Sequence, residues 1–230
     1  MRIGGFQPTS LIDYPDTLSA IIWTVDCNFH CPFCYNPQLV LGEADLIPEE
    51  ELLSFLDKRK NVLEGLVISG GEPLLQEDLE EFIRQVKQMG YLIKIDTNGT
   101  CPQQLRHLLE QHLVDYVAMD VKAPRDKYPE LSGVQGHIQA IQESIGIIKN
   151  HAPRYEFRTT VIPHLLSKED IVDIAEWLQG AEQYYLQQFK SETTLLSPKL
   201  ASLSPYSKED LMGMLEKIRP FVKQCDVRGL

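Results

Sequence analysis

Residues 25–36 read Val-Asp-Cys-Asn-Phe-His-Cys-Pro-Phe-Cys-Tyr-Asn and directly continue the apolar stretch 18–25, which is typical of a buried strand. Three of these residues, Cys27, Cys31 and Cys34, are cysteines within eight positions. Three thiolates so close in sequence can hold iron or zinc and leave one coordination position without a protein ligand. The stretch therefore predicts a metal centre with an open position at the end of a strand.

The cysteines have two other interpretations. A structural zinc site closes with four ligands, and His30 or a distant residue is available as the fourth. A disulfide framework fits less well, because five cysteines cannot all pair and the chain opens Met1-Arg2-Ile3-Gly4 without a signal segment. We therefore expect reduced thiols in the cytoplasm, and the zinc site stays open as an alternative.

Composition favours one enzyme domain over residues 1–230, with 43% hydrophobic and 24% charged residues, as in ordinary globular proteins. The net charge of -11 disfavours attraction to nucleic acid phosphates or anionic lipid. No apolar run approaches the roughly 18 residues that span a bilayer. We expect no nucleic acid and no membrane among the partners.

Stretches typical of strands alternate with stretches typical of amphipathic helices. Strands are predicted at 18–25, 65–69, 92–96, 115–121, 155–161 and 183–189, and helices at 48–59, 76–89, 102–113, 137–150, 167–178 and 207–222. Such alternation predicts a parallel sheet with right-handed crossovers. The fold is predicted to be α/β, a partial (β/α)6 barrel that stays laterally open beyond its sixth strand, with an open doubly wound sheet as the alternative.

Unusual residues follow three of these strands. The runs are Ser69-Gly70-Gly71-Glu72-Pro73, Asp96-Thr97-Asn98-Gly99 and Met119-Asp120-Val121-Lys122. All lie at carboxyl ends of strands, the face of a parallel barrel that carries the active site. We expect them to form one pocket together with the cysteine loop.

The residue types in these runs suit a nucleoside ligand. Gly70 and Gly71 lack a Cβ, so their backbone can approach a ligand closely, although a plain glycine turn explains them too. Asp96 can accept hydrogen bonds from a ribose diol, and Lys122 can pair with a carboxylate. Phe33 can pack on a planar base. The competing interpretations are solvated loop charges and ordinary core packing.

The Cys-x3-Cys-x2-Cys spacing, with Phe33 just before the last cysteine, resembles the signature of the radical S-adenosylmethionine (SAM) enzymes. The resemblance implies that the cysteines bind three irons of a 4Fe-4S cluster and that SAM binds the fourth through its amino and carboxylate groups. One electron then splits SAM to methionine and a 5'-deoxyadenosyl radical. It also implies that the run 70–73, which includes Glu72, contacts the amino group of SAM.

A narrower resemblance covers nearly the whole chain. It is carried by segments 10–16, 69–73, 96–99, 119–124, 158–161 and 227–229 together with the cysteine loop. These resemble the activating proteins of anaerobic ribonucleoside-triphosphate reductase, in the glycyl-radical activase branch. That implies hydrogen abstraction from a glycine Cα of a partner enzyme and a flavodoxin or ferredoxin-type electron donor. Where that family commonly has histidine after the third cysteine, this chain has Tyr35.

The same resemblance implies the remaining site residues. The predicted SAM contacts are Phe33, Asn36, Gly70, Gly71, Glu72, Asp96, Asn98, Lys122 and Arg158. A monovalent or divalent cation site beside the SAM carboxylate is implied at Asp96, Thr97 and Asp120, whose oxygen atoms suit a hard cation. His164, near the end of the strand predicted at 155–161, is a lone loop histidine that is more simply explained as solvated than as a contact to adenine or ribose.

Three functional hypotheses stay open. The first is the glycyl-radical activase, for which a short core suits a macromolecular substrate. The second is a radical SAM enzyme acting on a small molecule, similar to a 7-carboxy-7-deazaguanine synthase. The third is a zinc-binding structural protein. A second cluster with a full cysteine set is not available, because only Cys101 and Cys225 lie outside the motif.

Overall fold

A computed structural model describes residues 1–230 and places eight strands in one sheet whose spatial order follows the chain. The strands are β1 (Ile3–Ser10), β2 (Ser19–Thr24), β3 (Gly65–Gly70), β4 (Leu92–Thr97), β5 (Tyr116–Asp120), β6 (Tyr155–Val161), β7 (Gln183–Gln188) and β8 (Gln224–Arg228). The helices are α1 (Pro37–Val40), α2 (Glu49–Arg59), α3 (Leu79–Gln88), α4 (Pro102–Glu110), α5 (Tyr128–Ser132), α6 (Ile138–His151), α7 (Lys168–Trp177) and α8 (Lys208–Ile218).

Strands β2 to β7 are the six predicted strands, and each pairs in parallel with the next. Helices lie in every connection between them, as right-handed β-α units require. The predicted α/β partial barrel is thereby confirmed. All eight strands belong to this single sheet, which leaves β1 and β8 as unpaired edges.

The two outer strands were not predicted. Strand β1 runs antiparallel to β2, and β8 runs parallel to β7. Both consist mostly of half-buried and exposed residues and carry Gly, Pro or charged residues in place of an apolar run, as edge strands often do. The barrel stays laterally open, as predicted, although the sheet does not end at β7, its sixth predicted strand. Strand β8 covers that edge, and the gap lies between β1 and β8.

Alternating side chains give the sheet two different faces. One set, which includes Ile22, Ile68 and Ile95, packs against the helices in the main hydrophobic core. The other set faces the inside of the barrel. At the amino end of the strands it forms a small apolar cluster of Tyr14, Ile21, Val67, Tyr116 and Ala118. This cluster closes one end of the barrel, so ligands must enter from the other.

Side-chain caps fix where two of the helices begin. The Ser167 hydroxyl accepts from Asp170 N and the Asp170 carboxylate accepts from Ser167 N, a complete capping box at α7. Ser207 accepts from Asp210 N at the start of α8. The short helices α1 and α5 were not predicted. No helix is both long and apolar enough to cross a membrane.

Candidate active site

A cavity of about 910 Å³ lies at the carboxyl ends of the parallel strands. Its walls bring together every predicted site residue except Glu72: Cys27, Cys31, Phe33, Cys34, Asn36, Gly70, Gly71, Asp96, Thr97, Asn98, Asp120, Lys122 and Arg158. These residues come from the loop after β2, from the carboxyl ends of β3, β4 and β5, and from the middle of β6. The convergence expected from the positions of the motifs is what the fold produces.

Backbone hydrogen bonds hold the cysteine loop from several sides. His30 N donates to Ser132 O at 2.8 Å, which ties the loop to the end of α5. On the other side, Leu196 N donates to Cys34 O at 3.1 Å and Ser197 N donates to Pro32 O at 2.8 Å. These hydrogen bonds pair backbone N–H and C=O groups of the loop, which belong to no helix or strand that would pair them. The three sulfur atoms therefore have defined positions before any ligand binds.

The cysteines are free thiols suited to metal binding. Phe29 N donates to Cys27 Sγ and Asn36 N donates to Cys34 Sγ, each at 3.4 Å. Hydrogen bonds to sulfur of this kind stabilise thiolates that hold iron-sulfur clusters. Burial raises the pKa of Cys27 to about 12 and that of Cys31 to about 11. Both thiols are therefore protonated at neutral pH, and a metal must displace their protons.

The donor set suits a cluster better than a single zinc ion. No three His, Cys, Asp or Glu side chains form a group that could hold one metal ion. A structural zinc needs four ligands at about 2.0–2.3 Å from one centre. His30, the nearby candidate for a fourth ligand, is exposed. Three cysteines around a cavity, with no fourth protein ligand, fit an iron-sulfur cluster with one open position.

The two glycines after β3 allow two loops to meet. A Cβ on Gly71 would lie 1.9 Å from Asp26 O, and a Cβ on Gly70 would lie 2.2 Å from Thr24 N. Gly70 also has a φ of +124°, a conformation that other residues rarely adopt. The prediction attributed these glycines to ligand approach. They line the cavity, and their missing Cβ atoms also let the cysteine loop and the β3 loop touch.

Glu72 does not reach the cavity. Its side chain is fully buried, and its carboxylate accepts from Leu74 N, the Thr97 hydroxyl and Asn98 N at 3.1, 2.8 and 2.6 Å. Burial raises the pKa of Glu72 to about 7, against the effect of these donors. The prediction that Glu72 contacts SAM is not supported by this position. Its carboxylate instead joins the loop after β3 to the loop after β4.

Five charged residues form a network on the inner wall. Arg158 donates to Asp120 at 2.8 Å and to Asp96 at 3.4 Å. Lys122 donates to the second oxygen of Asp120 at 2.8 Å, and buried Lys94 pairs with Asp96. Burial would raise the pKa of Asp120, but Arg158 and Lys122 outweigh it and hold that pKa below its ordinary value.

This network bears on the predicted cation site. Asp96 and Asp120 are the two carboxylates expected to bind a cation, and the Arg158 guanidinium pairs with both. Three basic side chains already compensate the two carboxylates. The cation site stays a prediction, and a metal there would have to displace Arg158 from its partners.

Lys122 is positioned to receive an anionic ligand. Burial alone would lower the pKa of Lys122, but the Asp120 carboxylate outweighs it and raises the pKa above its ordinary value. The ammonium group also lies 6.0 Å from the centre of the Phe33 ring, which is itself nearly buried. The cavity therefore places a permanent positive charge and an aromatic face side by side.

Several cavity residues were missed by the sequence analysis. They include Tyr35, Thr160, Gln187, Gln188, Lys190 and Arg228. Arg228 makes a paired contact with the buried carboxylate of Glu156 at 2.7 and 2.8 Å. For Thr160 a signal was present, because β6 alternates polar and apolar residues, which marks an inner face not covered by helices. His164, Cys101 and Cys225 do not line the cavity.

The sequence profile of the radical SAM superfamily matches residues 21–178. This range contains the cysteine motif and the strand ends of β2 to β6. It therefore covers most of the cavity described above.

Two proteins of Methanocaldococcus jannaschii named as glycyl-radical enzyme activating enzymes are similar to this chain. One is 37% identical over 82% of this chain and 80% of its own length, and the other is 28% identical over 79% and 70%. A protein of Saccharolobus solfataricus named as a GTP 3',8-cyclase is 32% identical over 53% of this chain and 40% of its own length.

Solved structures share the fold at low sequence identity. SuiB of Streptococcus suis, in a crystal structure with S-adenosylmethionine bound, has a TM-score of 0.68 at 15% identity over 88% of this chain. This chain spans about half of SuiB, at 48% of its length. TYW1 with a lysine-pyruvate adduct bound has a TM-score of 0.62 at 15% identity over 88% of this chain.

Proposed function

The chain belongs to the radical SAM superfamily, and we propose that within it the chain is a glycyl-radical enzyme activase. The observation that carries the proposal is the 37% identity to a relative of that name, over 80% of the relative's length. Radical SAM proteins in general use SAM and a 4Fe-4S cluster. For this chain we propose that Cys27, Cys31 and Cys34 hold the cluster and that the protein is located in the cytoplasm. We also propose anaerobic ribonucleotide reductase as the partner.

The proposed roles follow from the positions in the cavity. Cys27, Cys31 and Cys34 hold three irons and leave the fourth for SAM. When bound, the cluster and SAM together supply one-electron chemistry that ends in hydrogen abstraction. The chain's own residues bind and orient: Lys122 pairs with the SAM carboxylate, and Phe33 packs on the adenine.

The remaining proposed contacts complete the SAM site. Main-chain groups of Gly70 and Gly71 lie at the cavity wall where the amino group is expected. Asp96 already pairs with Lys94 through one carboxylate oxygen and with Arg158 through the other. We propose that the same carboxylate also accepts hydrogen bonds from the ribose. A flavodoxin or ferredoxin-type protein is proposed as electron donor.

Replacing Lys122 with alanine should weaken SAM binding by roughly 1.5 to 3 kcal/mol, because one charge-assisted hydrogen bond to the carboxylate is lost. Isothermal titration of the reconstituted protein with SAM measures this change. The visible spectrum of the cluster should be unaffected. The control is Lys168→Ala, which removes a half-exposed lysine paired with Asp210 outside the cavity. Equal affinities for both variants would contradict the assignment.

The activase proposal is tested with a candidate glycyl-radical enzyme. The reconstituted protein, SAM, a reductant and the candidate are mixed without oxygen and followed by electron paramagnetic resonance. We expect a doublet from the glycyl radical, and deuterium placed at that glycine Cα should appear in 5'-deoxyadenosine. Mixing with an otherwise identical candidate whose glycine is replaced by alanine should give neither signal.

The small-molecule alternative predicts the opposite pattern. It draws support from the partial similarity to proteins named as GTP 3',8-cyclases, which covers 53% of this chain. Turnover of GTP or a pterin, with neither doublet nor label transfer from candidate partners, would establish that alternative and reject the activase.

A further inference from the structure

The Asn98 side chain has a fixed orientation beside the cysteine loop. Its Oδ1 accepts from Thr100 N at 3.0 Å and from Thr100 Oγ1 at 2.6 Å. Its Nδ2 therefore faces the other way, 2.9 Å from Asn28 Oδ1 and 3.8 Å from Cys27 Sγ. The second distance is a long hydrogen bond to sulfur, compared with 3.4 Å from Phe29 N to the same sulfur. Asn98 thus presents an N–H donor to the first cysteine of the motif.

The three cysteines differ in the donors that surround them. Cys27 Sγ accepts from Phe29 N and from Asn98, whereas Cys34 Sγ accepts from Asn36 N alone. The Cys31 thiol has no N–H donor and instead donates to Ser132 O at 4.0 Å. A thiolate at Cys31 would lose even that contact. The most strongly hydrogen-bonded thiolate of a bound cluster would therefore be Cys27.

The position of Asn98 depends on a buried carboxylate. Asn98 N donates to Glu72 at 2.6 Å, and Glu72 is fully buried. The same carboxylate holds the Thr97 hydroxyl, whose oxygen accepts from Gly99 N at 3.0 Å. The loop that carries Asn98 is thus held at both sides of that residue. This arrangement fixes the backbone from which the amide reaches the sulfur.

We propose that Asn98 is a positioning residue that raises the reduction potential of the cluster through its hydrogen bond to the Cys27 thiolate, with Glu72 holding it in place. The family resemblance places Asn98 among the SAM contacts. A donor to a ligand sulfur withdraws electron density, which favours the reduced cluster with its additional electron. The inference rests on the proposed function only in requiring that the cluster is bound.

The test is a potentiometric titration of the reconstituted protein with dithionite, without SAM, followed by electron paramagnetic resonance of the reduced cluster. In Asn98→Leu, which keeps the volume and removes the donor, reduction should become about tenfold less favourable. For one electron that is a midpoint about 59 mV more negative. The control is Thr160→Val, which changes another residue of the cavity wall that has no hydrogen bond to Asn98 or Cys27 and should keep the wild-type midpoint.

Each outcome decides the inference. A wild-type midpoint in Asn98→Leu at full iron content overturns it. If that variant does not load iron, Asn98→Asp replaces the donor by an acceptor of the same shape and should lower the midpoint at least as far. Failure of both variants to load iron while their circular dichroism stays native also overturns it, since assembly would then be the role of Asn98. Activation of a partner by the wild-type protein is a separate measurement, so the activase proposal can fail while this one stands.

Discussion

Replacement of Cys31 by alanine is expected to abolish reductive cleavage of SAM. Cys31 is the most buried of the three cavity cysteines, so neither water nor another side chain can take the place of its thiolate. A cluster held by two cysteines is lost or loses its defined open position. Iron content, visible absorption and formation of 5'-deoxyadenosine under anaerobic conditions measure the effect. We expect all three to fall to background, and the same for Cys27→Ala and Cys34→Ala.

The two remaining cysteines provide matched controls. Cys101 and Cys225 are also partly buried free thiols, but neither lines the cavity. Their replacement by alanine should leave iron content and SAM cleavage close to wild type. A Cys31→Ala protein with full activity would show that the motif is not the metal site. A colourless wild-type protein that binds zinc after anaerobic reconstitution would support the structural zinc alternative instead.

Replacement of Gly71 by alanine should cause the second large effect. The added Cβ would lie 1.9 Å from the carbonyl oxygen of Asp26, a backbone atom that cannot move without displacing Cys27. The hydrogen bond from Glu72 N to the same oxygen, 2.9 Å long, would be broken as well. We expect the free energy of unfolding to fall by roughly 2–4 kcal/mol, the cost of overpacking with strained backbone. Urea unfolding of the metal-free protein measures it.

Gly146→Ala is the control for this substitution. Gly146 lies inside α6, and a Cβ built there meets no atom within 4 Å. Alanine at such a position should stabilise the protein by about 0.5–1 kcal/mol, because it restricts the unfolded chain and favours the helix. If Gly71→Ala were as stable as wild type and loaded iron normally, the close approach of the two loops would not be required for the site.

Much of the fold followed from patterns within short stretches of chain. Apolar runs of strand length alternating with amphipathic segments predicted β2 to β7 and their parallel pairing, because each pattern reflects burial of one element. The edge strands β1 and β8 escaped prediction for the same reason. Few of their residues are fully buried, so no clear burial pattern marks them, and only pairing with a neighbour makes them strands.

The sequence by itself determined the chemistry that is local in the chain: three cysteines in one loop, and polar residues at the ends of successive parallel strands. Spacing along the chain decides such features, since a short loop must bring its own side chains together. Tertiary structure alone decided the contacts between residues far apart, such as Glu72 with Asn98, Arg158 with two carboxylates, and Gly71 against Asp26. Those contacts depend on strand register and on atoms within a few ångströms, and no property of the separate segments carries that information.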